Sequence, residues 1–267
     1  DSEGYLIGYQ GLSELFAVQR DYNGKLRLRK VSANTGITDG NGCYALKNAV
    51  YGVYTDAACT DKAAELRTLA DGTADEVELP LGRYYVKELT APKGYALDKK
   101  VYTAEVRADT TIEVRAEDQP QSAPIGLVLQ KRDAQTGKNI PQGSASLEDA
   151  RFEVKYYAGY YDSDPAGKGA KPVRKWVLRT DQSGRINLKD SQKVSGDPFY
   201  KNSAGANVLP LGTVTIQEIK APTGYLINSE VYVRKITASG KAENVNTYQA
   251  PAVPEEVVRG DLRLLKF

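Results

Sequence analysis

The chain has no histidine and no methionine, and only two cysteines and one tryptophan in 267 residues. Without histidine, Ser-His-Asp and Cys-His nucleophilic mechanisms are excluded, as are His-ligated zinc and haem sites. An excess of either charge is missing too: 36 Lys+Arg stand against 34 Asp+Glu, a formal net charge of +2. Spread evenly along the chain, that balance offers no electrostatic footprint for nucleic acid or an anionic membrane. No apolar run approaches the roughly 18 residues that cross a bilayer, and no signal peptide is legible. With no Met even at position 1, the sequence is expected to be a processed or excised piece of a longer chain. No cofactor is expected, and no turnover enzyme.

What the sequence does contain is enough apolar residue, 41% against 26% charged, to build packed cores. Eighteen tyrosines against four phenylalanines suit strands with one wet face, where the ring packs and the hydroxyl reaches water. Short alternating segments bounded by Gly, Pro, Asn and Asp point to an all-β chain.

An internal repeat organises the sequence. Residues 79–95 read LPLGRYYVKELTAPKGY, and residues 209–225, about 130 positions on, read LPLGTVTIQEIKAPTGY. Self-similarity of this density implies two copies of one domain. The copies open with Gly24-Lys25-Leu26-Arg27-Leu28-Arg29-Lys30 and Gly126-Leu127-Val128-Leu129-Gln130-Lys131, and a third opening starts at Gly260 and reaches Lys266. The expected domains are therefore 24–120 and 121–250. Residues 1–23 form an extension, with 11–18 a short helix or the tail of a preceding domain, and 251–267 are a linker and the first strand of a following domain. The short proline-bearing link at 119–124 favours an end-to-end arrangement.

Side chains of one parity share one face of a strand. On that test Lys30 lies with Leu26 and Leu28, Lys131 with Leu127 and Leu129, Glu88 with Tyr84 and Val86, Glu218 with Val214 and Ile216, and Asp118 with Val114 and Ala116. Each charged residue thus falls on the apolar face. A strand-end Lys can snorkel to water, and a buried Lys–Glu pair can form a salt bridge. Neither explains why Lys, Glu and a carboxyl or amide group recur in the same order and parity. A covalent reading does. Burial favours the neutral form of both an amine and a carboxylic acid. A neutral amine held against a side-chain carbonyl is a nucleophile at high effective concentration, and a neighbouring Glu can shuttle the protons. The product is an intramolecular amide, with water leaving from Asp or ammonia from Asn.

The segment Tyr84-x-Val86-x-Glu88-x-x-Ala91-Pro92-x-Gly94-Tyr95, repeated from Val214 through Glu218 to Tyr225, resembles the E-box of Gram-positive pilins and collagen-adhesin B-type (CnaB-like, SpaA-type) domains. The resemblance implies tandem inverse immunoglobulin-like β-sandwiches that form Lys–Asn or Lys–Asp isopeptide bonds. It places Lys30, Glu88 and Asp118 in the first domain. In the second it places Lys131 and Glu218, with Asn246 favoured over Asn244 as the acceptor. Glu88 and Glu218 are the expected proton shuttles.

The same resemblance implies a cell-wall or surface location, and in that setting Cys43 and Cys59 are expected to form a disulfide, the alternative being two free thiols. The second copy is longer between its Lys and Glu, and the excess falls mostly within 144–205. Tyr156, Tyr157, Tyr160, Tyr161 and Trp176 in that insertion suit either packing or ligand contact. Asp162 and Asp164 lack the spacing of a calcium loop, so no metal is expected. The expected function is a mechanical stalk, or alternatively an adhesin or immunoglobulin-binding module that uses this insertion. Further domains of the same chain and host matrix or serum proteins are the expected partners.

Overall fold

Period-two alternation makes strands wherever Gly, Pro, Asn and Asp cut the chain into short segments. The computed structural model describes residues 6–8, 16–18, 22–239 and 242–260, and over these the chain is nearly all strand. In chain order the strands are β1 (Leu6–Gly8), β2 (Phe16–Val18), β3 (Asn23–Ser32), β4 (Val50–Tyr54), β5 (Lys62–Arg67), β6 (Val77–Pro80), β7 (Gly82–Thr90), β8 (Val101–Val106) and β9 (Thr111–Asp118). There follow β10 (Ser122–Ala123), β11 (Leu129–Asp133), β12 (Arg151–Tyr157), β13 (Arg174–Arg179), β14 (Arg185–Ile186), β15 (Lys193–Gly196), β16 (Tyr200–Lys201), β17 (Asn207–Pro210), β18 (Gly212–Lys220), β19 (Val231–Ile236) and β20 (Ala252–Glu255). Among the described residues no helix is long and apolar enough to cross a membrane.

The chain forms two compact units. The first takes residues up to Val31, Leu46–Pro92 and Leu97–Asp118; the second takes Ser32–Ala45, Lys93–Ala96 and the chain from Gln119 on. In the first unit a three-stranded sheet, β6-β3-β9, accompanies a four-stranded sheet, β5-β4-β7-β8. Strand β3 alternates exposed and buried along most of its length, with Leu26, Leu28 and Lys30 on the inner side. Both sheets feed one core that contains Leu26, Leu28, Tyr51, Val53, Tyr84, Val86, Val114 and Ala116. Burying a side chain of this size stabilises the fold by about 1.5–3 kcal/mol.

In the second unit the sheets are β14-β11-β20, β15-β13-β12-β18-β19 and β10-β17-β16. Strands β11 and β20 run parallel, pairing Lys131 with Val253 and Asp133 with Glu255. Phe152, Val154, Trp176, Leu178, Val214 and Ile216 are fully buried. Trp176 lies 5.6 Å from the Phe199 ring and 6.4 Å from Tyr200 between ring centres.

Two expectations change here. Phe16–Val18 is a strand paired antiparallel with Leu6–Gly8, so the helix expected over 11–18 does not include those residues, and 11–15 lie outside the described residues. Regular pairing in the second opening segment starts at Leu129, leaving Leu127 half-buried ahead of it. Lys266 and the rest of the third opening strand also lie outside the described residues.

Candidate cross-link sites

Alternation along β3 turns Lys30 into the first unit, and the fold supplies its partners from both sheets. Lys30 is on β3, Asp118 ends the neighbouring β9, and Glu88 comes from β7 of the other sheet. The Lys30 Nζ is 2.7 Å from Glu88 Oε1 and also pairs with Asp118 Oδ2, and all three side chains have no exposure to solvent. It also donates to the Tyr51 hydroxyl at 2.8 Å.

Glu88 owes its aim to a bulge. The β4–β7 register shifts between Val50 and Tyr51, which sets Tyr51 directly opposite Glu88. The second carboxylate oxygen of Glu88 accepts from the backbone N–H of Asp98 at 2.7 Å. Asp118 is held differently. Apart from the lysine amine, neither of its oxygens has a donor. Burial pushes the Asp118 carboxyl from 3.8 up to about 7, with Lys30 opposing the shift and Glu88 adding to it.

The second unit repeats the arrangement piece by piece. A shift between Arg151 and Phe152 sets Phe152 opposite Glu218. Lys131 pairs with Glu218, and Glu218 Oε2 accepts from the Asn228 N–H at 2.7 Å. The Lys131 amine lies 5.1 Å from the Phe152 ring centre, as Lys30 does from the Tyr51 ring. Glycines of left-handed conformation back both lysines: Lys30 N–H donates to Gly72 O at 2.7 Å and Lys131 N–H to Gly184 O at 2.8 Å.

The third member of the second cluster is not the residue expected from the sequence. Asn246 is exposed, and so is Asn244. The group against Lys131 is Glu255, whose Oε1 lies 2.9 Å from the amine, with both side chains fully buried. The last strand pairs further on than the asparagines: β20 covers Ala252–Glu255, downstream of both, and lies beside β11. Val253 and Glu255 share the buried side of β20, while Ala252 and Pro254 are exposed.

Three of the five insertion aromatics belong to the core. Tyr156, Tyr157 and Trp176 are 1%, 1% and 0% exposed, so they present no ring to a ligand. Tyr160 is exposed and Tyr161 half-buried. Asp162 pairs with Lys235, and Asp164 caps a short turn through the Ala166 N–H, so both carboxylates are occupied.

Cys43 and Cys59 are free thiols, which corrects the expected disulfide. Cys43 is buried in a turn where its N–H donates to Asn41 Oδ1 at 3.0 Å, and burial pushes its thiol up. Cys59 sits in the turn between β4 and β5 with φ +57° and faces its own turn's Ala57 carbonyl.

These two all-β units define a class of tandem sandwich. A family model for the SpaA prealbumin-like fold domain matches residues 24–120 and 127–250. The chain belongs to that family. Among solved structures, the Bacillus anthracis TIE protein is similar at 25% identity and a TM-score of 0.60, over 92% of this chain. The chain spans only 36% of that protein. A C-terminal fragment of the pilus adhesin SpaC from Lactobacillus rhamnosus GG is 15% identical, with a TM-score of 0.44, covering 93% of this chain and 100% of the fragment. The shaft pilin spaA of the same organism is 15% identical, with a TM-score of 0.31, covering 90% and 100%. No curated protein matches the sequence.

Proposed function

We propose that the chain is part of a load-bearing stalk of a Gram-positive cell-surface protein or pilus, its first unit closed by a self-made amide between Lys30 Nζ and Asp118 Cγ. The observation that carries this reading is the Lys30 amine, sealed from water between Glu88 and Asp118. Leaving those charges unlinked costs several kcal/mol in desolvation. Amide formation removes two of them.

In the reaction a neutral Lys30 amine attacks the protonated Asp118 carboxyl carbon. One N–C bond forms and one C–O bond breaks. The hydroxyl of Asp118 leaves with an amine proton as water, and Glu88 carries that proton from nitrogen to oxygen. No other reagent is needed. Fixed proximity supplies most of the rate, since effective concentrations in such arrangements are very high. Glu88, anchored by the Asp98 N–H, keeps its place through the reaction, whereas Asp118 can lose an oxygen without breaking another hydrogen bond. The event happens once per molecule, so the chain is its own single-turnover catalyst and not an enzyme.

The bond gives a stalk two properties. It ties β3 to β9, the opening and closing strands of the unit, so tension entering at one end passes through a covalent link instead of shearing sheet hydrogen bonds. It also keeps the strand ends from fraying into a protease. With three of the five insertion aromatics buried, the adhesin reading is left resting on Tyr160 and Tyr161 alone. Single-molecule stretching of the full chain from its ends tests the mechanical role. Wild type is expected never to release the residues between Lys30 and Asp118, and Lys30→Arg to release them. Release of that length from wild type would contradict the stalk reading.

A further inference from the structure

We infer that the second unit closes on a glutamate: Lys131 Nζ and Glu255 Cδ form a Lys–Glu isopeptide bond, with Glu218 as the proton carrier. This rests on the cross-link reading of the first unit but departs from it in the acceptor. Asn246 and Asn244 are exposed, so neither amide reaches the amine. Glu255 does reach it, at 2.9 Å, from the strand that runs parallel beside β11.

Two carboxyl groups touch Lys131, and their hydrogen bonds separate their roles. Glu218 has its second oxygen fixed by the Asn228 N–H, as Glu88 is fixed by Asp98. Glu255, like Asp118, has no donor for either oxygen apart from the lysine. A buried carboxyl with two unsatisfied oxygens is costly to keep. Losing one as water relieves that cost, whereas attack on Glu218 would break the bond that anchors it. Burial pushes the Glu255 carboxyl from 4.5 up to about 7, with Lys131 opposing and Glu218 adding, which keeps the protonated, electrophilic acid accessible near neutral pH.

Register explains why the longer side chain is used. Lys131 pairs with Val253, so Glu255 sits one same-face step along β20, directly opposite Asp133. The extra methylene of Glu lets its carboxyl carbon reach back to the amine. The balance is again an amine plus a carboxylic acid giving an amide plus water.

Peptide mapping of the denatured full-length chain reads both sites at once. Trypsin places Lys30 on peptide 30–47, Asp118 and an uncleaved Lys131 together on 116–132, and Glu255 on 242–259. Both bonds together give one three-chain species lacking two waters, and fragment ions should join Lys131 to Glu255. In Glu255→Ala, trypsin should cleave after the free Lys131, and the species should shrink to the 30–47 and 116–131 pair, lacking one water. Cleavage after Lys131 in wild type, with the Lys30–Asp118 pair intact, would overturn this inference and leave the first-unit reading standing. So would a link to 202–220, which carries Glu218, or loss of ammonia with fragments placing the bond at Asn246 or Asn244. Absence of both links would overturn both readings.

Discussion

A lysine sealed from water between two carboxyl groups is stable as a pair of charges only at a cost, and an amide removes that cost. The residues around each amine carry distinct predictions. The Tyr51 hydroxyl accepts a hydrogen bond from Lys30, yet Phe152 occupies the matching place beside Lys131 without any hydroxyl. The ring is therefore the shared requirement. Tyr51→Phe is expected to keep the Lys30–Asp118 bond, read as an unchanged water deficit against the variant's own sequence mass, and Tyr51→Ala to lose it by opening a cavity beside the amine. Titration gives a second check. The Asp118 carboxyl is raised from 3.8 to about 7, mainly by burial. An acid with a folded value above its unfolded one contributes stability at low pH that is lost as pH rises through the folded value. In Glu88→Gln, where no bond forms and the part of the shift that Glu88 adds is gone, the first unit should lose stability against wild type as pH rises from about 4 in chemical denaturation, the loss ending below pH 7. In linked wild type Asp118 is an amide and does not titrate. A flat difference across that window would count against Asp118.

At the scale of strands and turns, much of the site could be read from alternation. Lys30, Glu88, Asp118, Lys131 and Glu218 all point inward as period two requires. What alternation does not show is pairing. The bulges before Tyr51 and Phe152, which set an aromatic opposite each E-box glutamate, depend on register between strands far apart in sequence. The same limit hid Glu255, because a parallel partner of β11 is chosen by sheet closure and not by local pattern. The aromatic residues stay open for a related reason: composition suits Tyr156, Tyr157 and Trp176 to packing or to ligand contact, and their burial decides for packing. Gly72 and Gly184 are a further element-level signal. A Cβ on Gly72, at φ +83°, would meet the Lys30 carbonyl oxygen at 2.2 Å. Gly72→Ala is expected to destabilise the first unit by about 1–3 kcal/mol and to slow bond formation, followed as the half-time of water loss in newly synthesised, still unlinked chain. Trp176→Ala should cost the second unit about 3–5 kcal/mol in denaturant unfolding, with the first unit's transition unmoved.

For the whole molecule, each proposed bond would close a long loop, and its stabilising effect would follow loop-closure entropy as a disulfide's does. Loops of this size imply on the order of 4–5 kcal/mol per bond. Lys30→Arg combined with Lys131→Arg should therefore unfold at markedly lower temperature than wild type, and trypsin should digest it at temperatures that wild type survives. The near balance of acidic and basic residues conceals this design, since the residues that matter are the few that the sheets withdraw from water. Intact mass of the denatured, full-length chain tests the central claim most directly. A mass below the sequence value by two waters, one for each unit, is the predicted result. A mass equal to that of the sequence would contradict it.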